Sequence, residues 1–173
     1  ENLIEEIGTS ESNLELENTL LRSKPDAHGL TVLPFLAGER AVGWAENATG
    51  TLTGLRLSTT KSEIYQAFLE SIAYRFGLVS KRLMTLLQEE CLVVASGGAV
   101  QSSKYWLQML SDVLGMRVGV SNVQEDTGRG TAILALNAMG LSSSFDDFDF
   151  EVTKFYDPNE KKMIIYQNAM NRQ

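Results

Sequence analysis

The stretch 93-VVASGGAVQSSKYW-106 has the strand–turn–helix pattern that repeats in the second half of this chain. It joins an apolar run typical of a buried strand to two adjacent glycines and then to the polar start of an amphipathic helix. Because glycine has no side chain, a ligand can approach the backbone at Gly97 and Gly98, beside the amide groups that open a helix. An ordinary strand-to-helix connection has the same pattern. The stretch therefore predicts either a nucleotide site or a structural turn.

The residues that follow the glycine pair alternate between helix and strand patterns. In order, they predict a helix from residue 102 or 103 to 114 ended by Gly115, a strand over 116–121, and a helix over 126–139 capped by Asp126 and Thr127 and closed by Gly140. With the strand over 91–96, this gives a β-α-β-α order. Such alternation favours parallel strands that are covered by helices.

A long helix is predicted before the glycine pair. Thr60 and Glu63 have the spacing of a capping box at its start. Apolar residues then recur at three- and four-residue steps and are expected to face the core: Ile64, Phe68, Ile72, Phe76, Val79, Leu83 and Leu86. Earlier still, residues 31–36 and 51–53 predict short strands in a turn-rich region, and the acidic residues 1–24 predict a linker or a frayed helix.

Composition narrows the class of protein. The chain has 173 residues, of which 43% are hydrophobic, and this suits one globular domain. Its 22 acidic and 15 basic residues give a net charge of -7, and the basic residues are scattered, which argues against a nucleic-acid partner. No apolar run is long enough to cross a membrane, and no signal-peptide pattern opens the chain. We therefore expect a cytoplasmic protein.

Metal sites and disulfides are disfavoured. The single cysteine, Cys91, and the single histidine, His28, can form neither an internal disulfide nor a Cys/His zinc cluster. The acidic loop over 142–150 contains Asp146, Asp147 and Asp149, but it lacks the glycine and the terminal glutamate of a calcium loop, so a solvated connector is the favoured reading. After this loop, residues 157–160 predict the capped start of a final helix that reaches residue 171.

Three segments resemble the C-terminal lobe of the FGGY carbohydrate kinases. They are 28-HGLTVLPFLAGER-40, then 50-GTLTGL-55 followed at family spacing by 63-EIYQAFLE-70, and the opening stretch extended through Asp112, Gly115 and the helix that contains 130-GTA-132. Together they span residues 25–141. Three motifs in the family's order are far more specific than a glycine pair alone.

This resemblance implies an α/β fold, the actin-like (ribonuclease-H-like) ATPase lobe. It also implies ATP- and magnesium-dependent phosphorylation of a sugar or sugar acid, of the xylulose or gluconate type. The catalytic carboxylate and most sugar contacts of the family belong to its N-terminal lobe, so no catalytic residue and no metal ligand is expected here. Since the chain begins at Glu1, we expect a fragment that lacks the start of its lobe and is inactive alone. Residues 1–24 are then a linker or frayed helix, 25–141 the kinase lobe, and 142–173 its acidic loop and last helix.

The resemblance also implies the site residues. Gly97 and Gly98 would let adenosine lie against the backbone, and Ser102 occupies the place where many members have a hydrogen-bonding asparagine. Trp106 is expected either to stack near adenine or to pack in the core. Glu39 and Arg40 are expected to form an ion pair that braces their turn rather than to catalyse.

Several alternatives stay open. The chain departs from the family pattern at Ala41-Val42, at Thr49 and at Thr131. The departures beside Gly50 and Gly130 leave room for a non-catalytic relic or interaction module. An actin-like ATPase or chaperone lobe is a second alternative. A dinucleotide-binding enzyme is a third, disfavoured because the third glycine of its fingerprint is absent. A homodimer is also left open by the sequence.

Overall fold

The computed structural model describes residues 10–87, 91–123, 125–142, 144, 148 and 151–173. These residues form the following elements in chain order: α1 Ser10–Arg22, β1 Thr31–Leu33, β2 Thr51–Thr53, α2 Lys61–Met84, β3 Val93–Ala95, α3 Gly98–Gln101, α4 Lys104–Leu114, β4 Val118–Ser121, α5 Asp126–Ala138, β5 Val152–Tyr156 and α6 Glu160–Arg172. None of the helices in these ranges is long and apolar enough to cross a membrane.

The strands form two small sheets. β1 and β2, which lie within the short strands predicted over 31–36 and 51–53, pair antiparallel. β3 and β4 pair in parallel, with Ala95 opposite Val120, which confirms the parallel arrangement predicted from the β-α-β-α order. β5 adds to the other side of β4 in the antiparallel direction. Sequence analysis missed β5, because its side chains are mostly exposed and pairing with β4, rather than a local pattern, stabilises it.

The acidic N-terminal segment contributes to the packed structure. Residues 10–22 form α1, although a linker or frayed helix was expected there. Leu20 is only 2% exposed and belongs to the larger hydrophobic core. The Glu17 carboxylate accepts hydrogen bonds from the Ser103 hydroxyl at 2.8 Å and from the Tyr105 backbone N–H at 2.9 Å. α1 therefore helps to cap the first turn of α4.

The long helix α2 is confirmed, and at its start Ile64 and Phe68 pack against a buried cluster as predicted, but the later part of the predicted core face is wrong. Thr60 and Glu63 form the expected capping box. Phe76 and Leu83, however, are each 51% exposed, and Leu86 is 76% exposed. The residues of α2 that are buried instead are mostly small or polar: Gln66, Ala67, Glu70, Ser71, Ala73, Tyr74 and Gly77.

Close helix packing explains this change of face. A Cβ added to Gly77 would lie 3.0 Å from the Met170 sulfur and 3.2 Å from a methyl carbon of Val113. α4 and α6 thus approach the backbone of α2 where its side chains are small, so volume rather than hydrophobicity selects the buried face. The larger side chains Phe76, Val79 and Leu83 line an open apolar groove beside β3.

Most predicted helix ends are observed. Ser103 caps α4 by accepting from the Trp106 N–H, Gly115 ends α4 in the left-handed conformation, and Asn159 caps α6. Asp112 is buried and accepts from the Asn159 backbone N–H at 2.8 Å, so its role is structural. The predicted cap of α5 is wrong, because Glu125 holds the N-cap position and makes no side-chain capping bond.

The loop that follows α5 is only partly described. Gly140, in the left-handed region at φ 71°, follows α5 as predicted. The three aspartates weighed as calcium ligands, Asp146, Asp147 and Asp149, lie outside the described residues.

A buried carboxylate joins distant parts of the fold. Glu70 is 1% exposed, and four donors surround its two oxygens. Oε1 accepts from the Asp26 backbone N–H at 3.2 Å and from the Gln66 amide at 2.7 Å, while Oε2 accepts from the Tyr74 hydroxyl at 3.0 Å. His28 Nε2 lies 3.1 Å from Oε2. The carboxylate therefore ties the segment before β1 to the middle of α2.

The neighbours of Glu70 settle which groups donate to it. The Leu30 N–H donates to Nδ1 of His28 at 2.9 Å, so Nε2 carries the hydrogen that points at Glu70. Burial, followed by the nearby charge of Glu70, raises the pKa of Tyr74, so its phenol stays protonated and donates. The site is a saturated hydrogen-bond hub.

Replacing Glu70 by methionine tests this hub. We expect Glu70→Met to lower the free energy of unfolding by about 3 kcal/mol, because the variant buries donors without an acceptor. Urea unfolding followed by circular dichroism measures the loss. Glu15→Met, on the exposed face of α1, is the control and should change stability by less than about 0.5 kcal/mol. Equal losses in the two variants would contradict the role of Glu70.

Candidate functional site

The glycine pair forms an open turn between β3 and α3. Gly97 adopts φ 93° and ψ 140°, a conformation that side chains disfavour, and it precedes the single turn of α3. The backbone N–H groups of Gln101 and Ser102 donate to the Gly97 and Gly98 carbonyls, each at 3.1 Å. A Cβ added to either glycine would meet no atom within 4 Å. Neighbouring side chains therefore do not explain why glycine stands at both positions.

The turn lies at the carboxyl edge of the parallel pair. β3 ends at Ala95 and β4 at Ser121, and since the two strands are parallel and adjacent, the segments that follow them meet at the same edge. Gln101 joins these segments, because its side-chain amide donates to the Ser121 and Val123 carbonyls, each at 3.1 Å. Ligands of α/β proteins bind at this kind of edge.

The helix that follows β4 also presents bare backbone. Gly128 and Gly130 lie in the first two turns of α5, and a Cβ on either would meet no atom within 4 Å. No residue of α5 is fully buried. Both helical segments that leave the carboxyl edge therefore begin with glycines that packing does not require.

The remaining predicted site residues differ in their surroundings. Ser102 ends α3 and is exposed, next to the glycine pair in the chain. Trp106 is half-buried and packs against the larger core, which agrees with the core reading of its two expected roles. The structure thus keeps Gly97, Gly98 and Ser102 together and turns Trp106 toward the core.

Glu39 braces its turn, but its partner was not the expected one. Its carboxylate forms an ion pair with Arg75 of α2 and accepts from the Val42 N–H at 3.1 Å. Arg75 also donates to the Ala41 carbonyl at 2.7 Å and lies over the Phe35 ring. Arg40 is exposed. The expected Glu39–Arg40 pair is therefore replaced by a pair between the loop and α2, which only the tertiary fold brings together.

The electrostatics of Glu39 follow from these contacts. Burial by itself would raise the pKa of this carboxyl, but hydrogen bonds from the Val42 and Gly43 backbone and the charge of Arg75 outweigh burial and lower the pKa. These contacts account for the lowered pKa of Glu39 without any reacting group. Its role is structural.

Metal-binding capacity is limited in the described ranges. The cluster whose ligand atoms lie close enough to hold a cation there consists of Asp26, His28 and Glu70. The oxygens of Glu70 are taken by protein donors, the hydrogen on His28 Nε2 points at Glu70, and Asp26 pairs with Arg172. These three residues therefore do not fit a metal ion.

Sequence reasoning missed three polar residues that hold segments around the site in place: Gln101 at the glycine turn, Glu17 at the start of α4 and Arg75 at the Glu39 loop. Nothing in the local sequence indicated these roles, because each residue bonds to a partner that is distant in the chain.

The arrangement matches known proteins over most of the chain. Xylulose kinase from Lactobacillus acidophilus superimposes with a TM-score of 0.77 at 25% identity, over 95% of this chain and 33% of the kinase. Gluconate kinase from the same organism gives a TM-score of 0.75 with the same identity and coverage. The fold is therefore that of an actin-like ATPase lobe of a carbohydrate kinase.

Sequence comparison agrees with this class. A family model described as "FGGY family of carbohydrate kinases, C-terminal domain" matches residues 2–139. Gluconokinase from Bacillus subtilis is 34% identical over 125 residues, which cover 72% of this chain and 24% of the relative. Glycerol kinase from Oleidesulfovibrio alaskensis is 32% identical, over 96% of this chain and 35% of the relative. The chain belongs to the FGGY family of carbohydrate kinases and spans about a third or less of the curated relatives it matches.

The two glycines of the turn should differ when replaced by alanine. Gly97→Ala places a Cβ on a backbone at φ 93° and should lower the free energy of unfolding by about 1–3 kcal/mol. Gly98→Ala places its Cβ in open space within a helical turn and should change the free energy of unfolding by less than about 0.5 kcal/mol. Urea midpoints measure both. Equal losses would show that the positive φ of Gly97 is not what requires glycine there.

The brace at Glu39 predicts a pH dependence. Because the folded-state pKa lies below the usual 4.5, the stabilisation by Glu39 is complete above that pH and is lost as the pH falls through the lowered value. Wild type and Glu39→Gln should therefore differ in thermal midpoint at pH 7 and converge in acid. Glu46→Gln, at an exposed position of the same loop, should match wild type at neutral pH. A difference in thermal midpoint between wild type and Glu39→Gln that stays constant with pH would contradict the prediction.

Proposed function

We propose that this chain forms the nucleotide-binding half of an ATP-dependent carbohydrate kinase. In this proposal adenosine lies against the backbone of Gly97 and Gly98, and the Ser102 hydroxyl hydrogen-bonds to it. The observation that carries the proposal is the bare backbone at Gly97 and Gly98, at the carboxyl edge of two parallel strands, in a member of a kinase family. A structural turn accounts for Gly97 through its positive φ, but it does not require a glycine at position 98.

The chemistry of phosphoryl transfer divides the work between lobes. The γ-phosphoryl group leaves the β-phosphate of ATP and bonds to a hydroxyl oxygen of the acceptor, whose proton passes to a carboxylate. We assign no catalytic residue among the described residues, since the carboxylates buried there, Glu70 and Asp112, are both engaged in structural hydrogen bonds. Its proposed task is to hold the nucleotide.

Magnesium, which phosphoryl transfer requires to offset phosphate charge, has no fitting ligand set among the described residues. The Asp26–His28–Glu70 cluster is closed by its own hydrogen bonds. We propose that the ion is held by the phosphates and by polypeptide beyond this chain.

The proposed acceptor is a sugar or sugar acid of the xylulose or gluconate type. Relatives named gluconokinase, xylulose kinase and glycerol kinase are similar to this chain to a comparable degree, so similarity does not single out one acceptor. They share an acceptor with several hydroxyl groups. A homodimer and a cytoplasmic location stay predictions.

Calorimetric titration of the chain with magnesium-ATP tests the proposal. Wild type should bind, and Gly98→Leu should bind at least about tenfold more weakly, because the leucine occupies the space where adenosine approaches. Its thermal midpoint should stay near that of wild type, since no described residue outside the turn has an atom within 4 Å of the new Cβ.

Two controls make the result specific. Ala138→Leu adds the same side chain at an exposed position near the end of α5 and should bind like wild type. Adenosine without phosphates should show the same ratio between wild type and Gly98→Leu. If a folded wild-type chain binds neither ligand, the proposal fails and the non-catalytic alternative stands. If it binds and Gly98→Leu binds equally well, Gly98 is not in the site.

A further inference from the structure

We propose that Gln101 is a positioning residue of the nucleotide site, because its side chain fixes the glycine turn relative to the loop that follows β4. The inference rests on the proposed function, since it assumes that the turn holds a nucleotide. It concerns a residue that needs no contact with the ligand. Its effect passes through the backbone of Gly97.

The geometry requires a donor with two hydrogens. The side-chain nitrogen of Gln101 lies 3.1 Å from the Ser121 carbonyl and 3.1 Å from the Val123 carbonyl. Both partners only accept, so the amide must present its NH₂ group to them, with one hydrogen for each oxygen. Glutamate or methionine at this position would supply neither hydrogen.

The same residue is bonded to the glycine turn through its backbone. The Gln101 N–H donates to the Gly97 carbonyl at 3.1 Å. A single residue thus connects the first glycine, through its main chain, to two carbonyls beyond β4, through its side chain. Gly97 has few steric restraints of its own, because no atom lies near its missing side chain.

The other end of this link is itself held. The Val123 N–H donates to the Ser121 hydroxyl at 3.0 Å, and Ser121 is 4% exposed. The Asn122 N–H donates to the Glu151 carbonyl at 3.0 Å, next to β5. Gln101 therefore attaches a turn of permissive glycines to a loop anchored on the sheet.

The expected consequence concerns binding. The ladder between β3 and β4 ends with Ala95 and Val120, so beyond it the two segments need side-chain bonds to stay in register. Losing the Gln101 bonds should let the turn sample conformations that do not bind, and affinity falls with the competent fraction. Preorganisation of this kind changes affinity without any contact to the ligand.

Gln101→Met tests this, with Gln108→Met as the matched control. Gln108 also uses its side-chain nitrogen to donate to two acceptors, Asp112 Oδ1 at 2.9 Å and the Asp157 carbonyl at 2.8 Å. Both variants lose two hydrogen bonds of similar geometry, but only one loses them at the glycine turn. We expect Gln101→Met to bind magnesium-ATP and adenosine about tenfold more weakly than wild type, and Gln108→Met to bind like wild type.

A donor-restoring variant separates positioning from general destabilisation. Arginine can donate to both carbonyls, so Gln101→Arg should recover most of the affinity lost in Gln101→Met. Adenosine is the probe for this comparison, because it carries no phosphate that the added charge could attract. Equal affinity of wild type and Gln101→Met, or equal weakening by Gln108→Met, overturns the inference.

Hydrogen exchange of the ligand-free chain provides a readout that does not depend on nucleotide. The amides of Gln101 and Val123 should exchange faster in Gln101→Met than in wild type and stay unchanged in Gln108→Met. If wild type binds no nucleotide, the proposed function fails, and faster exchange still supports the positioning of the turn by Gln101. Unchanged exchange overturns the positioning role whatever the binding result.

Discussion

The Glu70 carboxylate is the constraint on which the arrangement of this chain depends. A buried charge is costly unless it is hydrogen-bonded, and here four donors from α2 and from the segment before β1 surround it. Asp26, whose N–H is one of these donors, pairs through its side chain with Arg172 near the end of α6. One carboxylate therefore connects the segment before β1, the middle of α2 and, indirectly, the last helix.

Packing between α2, α4 and α6 links the Glu70 hub to the glycine turn. α2 presents small side chains to α4 and α6, and the contact at Gly77 leaves no room for a methyl group without a shift of Met170 or Val113. α4 then stands in a defined position, capped by Ser103 and by Glu17 of α1. Since only Ser102 and Ser103 separate α3 from α4, the position of α4 in the core also sets the position of the glycine turn. Gln101 then fixes the turn relative to the sheet, because its side chain joins the turn to the end of β4.

Local chemistry made several features predictable. The glycine pair, the capping box at Thr60 and Glu63, and the left-handed Gly115 each depend on residues within one turn of the chain, and all appear where the sequence indicated. The parallel β3–β4 pair followed from the order of elements, because parallel strands need a helical crossover.

Features that depend on distant partners were not predictable. The predicted buried face was wrong for the later part of α2, from Phe76 onward, because periodicity records where apolar residues recur, whereas close helix contact selects small ones. β5 was missed because its pairing with β4 is its main support. Glu39 was paired with its neighbour Arg40, although the fold brings Arg75 to it from 36 residues away.

The sequence by itself determined the family, the α/β class and the glycine pair at the end of β3, because each depends on residue types at short spacing. Only the tertiary structure decided which face of α2 is buried, that Glu70 is a saturated hub rather than a metal ligand, and that Gln101 spans the carboxyl edge of the sheet. The physical reason is the same in each case. A hydrogen bond or a packing contact between distant segments has no signature until folding brings both partners together.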